Sequence, residues 1–350
     1  MIAIGGRTIG RGQPTYLVAE LSANHHGDLD RAVALVRAAK RAGADAVKLQ
    51  TYTADTMTLD LDVPLFRLGE DSTWAGRRLY ELYEEAHTPW AWHAPLQEVA
   101  AEEGIALFST PFDESAVDFL ESLDMPAYKI ASFELVDSPL LARVARTGKP
   151  VIVSTGMASM DEIVEAVATL RESGCARPIL LRCASAYPAD PSDVHLALMR
   201  RLASELDVET GLSDHSMDPA VAVAAAAMGA VLIEKHFILD RGEGGPDAGF
   251  SLEPSEFAEL VRQVRLAERA VGREDAVPGA SASERVNATL RRSLFVVQDV
   301  APGAPFTSTN VRAIRPGAGL PPKHLDDVIG RRAAKAIPRG TPLQWDLIAP

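Results

Sequence analysis

The chain has 350 residues, 47% of them hydrophobic, and its 48 acidic against 35 basic side chains give a formal charge of −13. That is enough to bury one full-sized core and leave about 70 residues for a second unit. The charge argues against a nucleic-acid partner, since no block of basic residues offsets repulsion from phosphates. Two cysteines, Cys175 and Cys183, cannot form a disulfide framework and read as reduced packing residues of a cytoplasmic protein.

Residues 1–10 read as a short hairpin turning at Gly5 and Gly6. This start has no apolar leader run and no small-residue cleavage site, so secretion by that route is not expected. Eight short apolar runs follow, at 17–20, 46–50, 106–110, 128–132, 151–155, 179–185, 208–214 and 231–236. Segments of mostly helical pattern separate them, which predicts eight strand-then-helix units, an α/β TIM barrel. In the first helix Asp28 is placed to cap a run with Ala32, Val33, Leu35, Val36 and Ala39 at helical spacing, and Gly43 is placed to end it.

An insertion at 51–104 is far longer than an ordinary connection and carries Trp74, Tyr80, Tyr83, Trp90 and Trp92. Part of it is expected to pack on the barrel and 51–61 to cover a ligand. The longest apolar run, 220–233, is Ala-rich and interrupted by Gly229. It falls short of the ~20 residues of a membrane span and divides into a helix and the eighth strand, so no membrane contact is expected. The domain organisation predicted is a catalytic barrel over 1–272, a polar linker over 273–287 and a small β-rich unit over 288–350. Within that last unit, Val-Ala-Pro-Gly-Ala-Pro-Phe from Val300 echoes Ile-Pro-Arg-Gly-Thr-Pro-Leu from Ile337.

The predicted strands end in polar groups, and in such a barrel the carboxyl ends of the strands carry the active site. His215 and His236 close successive strands, about 5 Å apart, so both imidazoles can share one cation with positions left open, which suits Mn2+ or Mg2+. The alternative is two hydrogen-bonded histidines that orient other groups. Lys48 and Lys129 lie inside apolar strand patterns, where a cation needs an anionic partner. Thr110, Ser132, Ser154, Ser185 and Ser213 add hydroxyl donors, so the rim suits a phosphate- and carboxylate-bearing ligand. A Schiff-base lysine or a structural Lys–Glu pair would explain the lysines otherwise. Glu20, Glu134 and Asp247 are candidate acids, bases or hydroxyl acceptors.

Taken together, Glu20, Asn24 with His25, Lys-Leu-Gln-Thr from Lys48, Ser-Thr-Pro-Phe from Ser109, Tyr-Lys-Ile-Ala-Ser-Phe-Glu from Tyr128, Gly-Leu-Ser-Asp-His from Gly211 and Glu-Lys-His-Phe from Glu234 resemble the sialic acid synthase family. The end of the chain, through Arg-Arg-Ser-Leu-Phe from Arg291 and Arg-Pro-Gly from Arg315, resembles its C-terminal antifreeze-like (SAF) domain. The resemblance implies condensation of phosphoenolpyruvate with an open-chain amino sugar to a nonulosonic acid. It assigns Lys48, Thr110, Lys129, Ser132, Ser154, Ser185 and Ser213 to phosphoenolpyruvate, and His215 with His236 to the metal. Glu20 and Glu134 would be catalytic carboxylates, while Asn24, Gln50, Tyr187, Asp247 and Phe250 would face the sugar. It further implies a domain-swapped homodimer in which Arg315 reaches the partner's sugar. Several segments, among them Ser-Ala-Tyr-Pro from Ser185 and Phe-Ser-Leu-Glu-Pro from Phe250, are most similar to the pseudaminic acid branch, whereas Pro246 is more like the N-acetylneuraminate and legionaminate branches.

Overall fold

The computed structural model describes residues 2–70, 73–273, 275–279 and 281–350, and divides into two compact units at 271/272. The first opens with the hairpin β1 (Ile2–Ile4) and β2 (Arg7–Ile9), paired antiparallel. Then come β3 (Tyr16–Glu20), β4 (Ala46–Thr51), β5 (Ala106–Pro111), β6 (Tyr128–Ile130), β7 (Val151–Ser154), β8 (Ile179–Cys183), β9 (Glu209–Asp214) and β10 (Leu232–His236). These eight pair in parallel, each with the next, and β10 closes on β3. The predicted barrel is present.

Successive side chains of a strand point to opposite faces, so residue parity sorts this wall into two environments. Leu17, Ala19, Val47, Leu49, Val153, Leu180, Leu212 and Ile233 belong to the core beneath the helices. Tyr16, Val18, Ala46, Phe108, Ile152, Leu181 and Leu232 instead fill the barrel's interior, together with Ile4 and Ile9 of the hairpin. The hairpin thus stoppers the amino-terminal end. Its turn needs glycine: Gly5 has φ +56° and a Cβ there would lie 2.5 Å from that of Ala106.

The helices follow their local signals. Asp28 accepts hydrogen bonds from the amides of Asp30 and Arg31 at the start of helix Leu29–Arg41, and Gly43 just beyond it takes φ +92°. The insertion holds helices Ala54–Met57, Leu79–Ala86 and His93–Glu103. Two expectations need correction. The fourth run stops being a strand at Ile130, because Ser132–Glu134 is a 3-10 turn. The stretch read as a linker contains the helix Ala282–Ala288, capped by Ser281. Positions 71 and 72 of the insertion and 274 and 280 of that stretch lie outside the described residues.

The second unit, 272–350, pairs β11 (Ser293–Val296) with β12 (Val311–Ile314) antiparallel. The two echoing segments meet each other in it, with Val300 and Ile337 exchanging backbone hydrogen bonds. Leu294, Val296, Val300, Phe306, Val311, Val328, Ile337 and Leu343 form its core. Among the described residues no helix is long and apolar enough to cross a membrane.

Candidate functional site

Above the apolar floor, the inward positions change character. Glu20 on β3, Lys48 and Gln50 on β4, Thr110 on β5, Lys129 on β6, Ser154 on β7, Cys183 on β8, Ser213 on β9, and Glu234 and His236 on β10 share the interior parity. His215 follows directly on β9. The strand ends therefore gather the predicted residues into one chamber.

Its centre is ionic. Lys48 is ion-paired with Glu20, lies 3.5 Å from Glu234 and donates to Thr110 Oγ1 at 2.8 Å. Burial alone would lower the Lys48 ammonium's pKa, but these two carboxylates hold it up. Glu20 is pushed up by burial and Glu234 is drawn down, burial being outweighed there by Lys129 and Lys48. Lys129 donates to the carbonyl of Ile130 at 2.9 Å, and burial lowers its pKa. The structural Lys–Glu pairing thus holds for Lys48, whereas Lys129 is the less neutralised cation.

At the rim, Ser132 Oγ accepts from the amide of Gly156 at 3.0 Å. A Cβ on Gly156 would overlap Ser185 Oγ and lie 2.7 Å from Ser132 Oγ, so this glycine lets the two hydroxyls converge. Glu134 is raised from 4.5 to about 7, chiefly by burial. Burial also raises Asp247, which accepts from Ser22 Oγ. Gln50 Nε2 donates to Ser22 Oγ at 3.0 Å and to Glu20 Oε1 at 3.3 Å.

His215 and His236 have ring centroids 5.4 Å apart. The Nδ1 of His215 lies 3.0 Å from the carbonyl oxygen of Ala184, the arrangement that leaves Nε2 as the acceptor nitrogen. His236 is held well below the usual imidazole pKa by burial and then by the charge of His215. Its Nδ1 is buried without a hydrogen-bond partner among the described residues. Of these two adjacent imidazoles His236 is kept neutral, whereas at His215 burial is outweighed by Cys183, which raises its pKa, so the pair could share a divalent cation only with the His215 Nε2 proton displaced. Among the described residues no cluster of three or more His, Cys, Asp or Glu could hold a metal.

Phe250 makes T-shaped contacts with both imidazoles, and Tyr187 lies 4.5 Å from His215 and 5.1 Å from Phe250 between ring centroids. From the insertion, Thr73 Oγ1 donates to the carbonyl of Tyr187 at 2.8 Å and the Trp74 indole donates to that of Pro246 at 2.9 Å. The insertion thus touches these loops through 73–74, outside the 51–61 segment expected to cover a ligand.

Asn24 was expected against the sugar, and its Oδ1 is buried with no hydrogen-bond partner among the described residues. It is fully buried, and its Nδ2 is committed to the carbonyl of Phe237 and to Ser251 Oγ, both at 2.9 Å, which ties the loop after β3 to the loop after β10. Arg315 lies in the second unit, exposed, just past β12. Two chamber residues were not singled out from sequence. Cys183 sits 3.8 Å from His215 Nδ1, and although burial raises its thiol, His215, Ser132 and Lys129 bring it down to about 7. Glu234 was named only within the Glu-Lys-His-Phe segment, with no role of its own.

Residues 35–276 match the NeuB family and 291–349 match the SAF domain. The chain is 41% identical to the pseudaminic acid synthase of Helicobacter pylori over 95% of its own length and 98% of that protein's. It is 36% identical to the N,N'-diacetyllegionaminic acid synthase of Legionella pneumophila, over 97% and 96% of the two chains. Among solved structures, the N-acetylneuraminic acid synthetase of Leptospira borgpetersenii in complex with citrate superposes with a TM-score of 0.72 at 32% identity, covering 82% of this chain and 95% of that one. With a closed barrel, its charged interior and a C-terminal SAF unit in one polypeptide, the chain belongs to the NeuB family.

Proposed function

We propose that the protein condenses phosphoenolpyruvate with open-chain 2,4-diacetamido-2,4,6-trideoxy-altrose, giving pseudaminic acid and phosphate. The observation that carries this is the chamber itself: two buried lysines and a ring of hydroxyls, with Ser154 Oγ, Glu134 Oε2 and His236 Nδ1 buried around them and without a hydrogen-bond partner among the described residues. Such atoms await a ligand. Pseudaminic acid synthases at 41–42% identity supply the choice of sugar.

In this reading Lys48, Lys129, Thr110, Ser132, Ser154, Ser185 and Ser213 hold the phosphate and carboxylate, and need no covalent enamine because the enol phosphate is already nucleophilic. Its C3 bonds to the aldehyde carbon, and the aldehyde oxygen gains a proton. Water then adds at C2, phosphate leaves with cleavage of the C2–O bond, and a ketone remains. Glu134, with its pKa near neutrality, is the group poised to hold and pass the proton. Glu20 instead spends its charge on Lys48. His215 and His236 would hold Mn2+ or Mg2+, which when bound supplies Lewis-acid polarisation of the aldehyde. Gln50, Tyr187, Asp247 and Phe250 line the sugar's side, the two aromatic rings suiting a methyl group in place of a hydroxymethyl. We further propose a cytoplasmic homodimer in which Arg315 of each chain serves its partner's site.

Pro246 favours a second reading, in which the sugar is the legionaminate or N-acetylneuraminate precursor. Phosphate release measured with a panel of 2-acetamido and 2,4-diacetamido sugars decides. The altrose should give the highest kcat/KM, well above N-acetylmannosamine. Equal or reversed values would move the protein to the sibling branch, and release with none of them would refute the condensation.

A further inference from the structure

The two imidazoles stand on adjacent strand ends, so their separation depends on how β9 and β10 are fastened there. Asp214 precedes His215 and Lys235 precedes His236, and these two preceding residues are register partners across the pair. By parity both point away from the chamber, toward the helices. Their side chains are only 0% and 1% exposed. Lys235 Nζ donates to Asp214 Oδ2 at 2.8 Å and also to the carbonyl of Ser216. Asp214 Oδ1 in turn accepts from the amide of Ser216 at 2.9 Å and from its hydroxyl at 2.7 Å.

His215 is therefore gripped from both sides. The residue before it and the residue after it are tied to one ammonium, which is a single residue from His236 in the chain. Burying such a pair gives little net stability, since desolvation of both charges offsets their attraction and apolar replacements are often tolerated. What it does give is direction, because four hydrogen bonds converge on one strand end.

We propose that Lys235, through its pair with Asp214 on the outer face of the barrel wall, is the positioning residue that sets the separation of the His215 and His236 imidazoles and so the site's affinity for a divalent cation. This rests on the reading that the two histidines hold that cation. Lys235 itself never enters the chamber.

The test is Mn2+ binding to the full-length protein without substrates, followed by the loss of the free-ion EPR signal. Lys235→Met alone would strand a buried aspartate, so Lys235→Met/Asp214→Asn is the informative variant, with Asp214→Asn alone beside it. Wild type should bind, and His215→Ala and His236→Ala should not. The double variant, folded by circular dichroism, should bind roughly tenfold to a hundredfold more weakly, as when groups that orient metal ligands are lost. Unchanged affinity in either folded variant would overturn the positioning role while leaving the metal reading intact. A wild type that binds no Mn2+, or histidine variants that bind as well as wild type, would overturn the metal reading and this inference with it.

Discussion

Glu134 shows how one side chain carries a measurable signature. Burial raises its carboxyl from 4.5 to about 7, so between those values the folded chain holds a proton that the unfolded chain releases. Stability then falls as pH rises through that window and is insensitive to this group above it. Glu134→Gln removes the dependence. The melting temperature of the variant relative to wild type should therefore climb as pH rises from about 5 to about 8, and the inflection near 7 in the pH profile of kcat/KM should vanish, with kcat down roughly a hundredfold or more. A pH profile that keeps its inflection would assign the proton to another group. At this scale the sequence showed which residues are polar in apolar surroundings, and so exposed Lys48, Lys129, His215 and His236. It did not show which partner each would take. Lys48 meets Glu20 across the β3–β4 register and Cys183 meets His215 across β8–β9, relations that exist only once the strands are laid side by side.

Among the elements, the strands were legible because both faces of each are buried, which leaves a continuous apolar run. Their ends were less so. Hydrophobicity continues past Ile130 while the hydrogen-bond ladder does not, and the 3-10 turn at Ser132–Glu134 is what brings Ser132 against Gly156. Trp74 was the harder case, since its partner Pro246 lies 172 positions away and no local pattern connects them. The Gly156 turn yields a direct test. Gly156→Ala would drive a methyl group between Ser132 and Ser185, and losing both hydroxyl contacts at about 1 kcal/mol each predicts a KM for phosphoenolpyruvate raised roughly tenfold or more. The sugar's KM and the melting temperature should stay close to wild type. An unchanged phosphoenolpyruvate KM would mean that these hydroxyls do not serve that substrate.

For the molecule as a whole, the count of eight units and the shift of composition near 272 were readable in the chain, as was the paired echo of its C-terminal unit. The helix at Ala282–Ala288 was hidden because its face is polar and its signal is a single Ser281 cap. The proposed sharing of Arg315 predicts complementation: mixing Arg315→Ala chains with Lys129→Ala chains should recover activity, because one site of each mixed dimer keeps both residues. Proven heterodimers with no recovery would exclude it. The stopper formed by Ile4 and Ile9 has a temporal consequence. A vessel with one mouth fills from the bottom, so the ligand of Lys48, Lys129 and Ser154 has to enter before a sugar resting on the Tyr187 and Phe250 loops blocks its path. For the proposed condensation the plugged floor predicts an ordered reaction, checked by product-inhibition kinetics: phosphoenolpyruvate should load first, excess sugar should inhibit by trapping an empty chamber, and phosphate, formed beneath the new acid, should leave last.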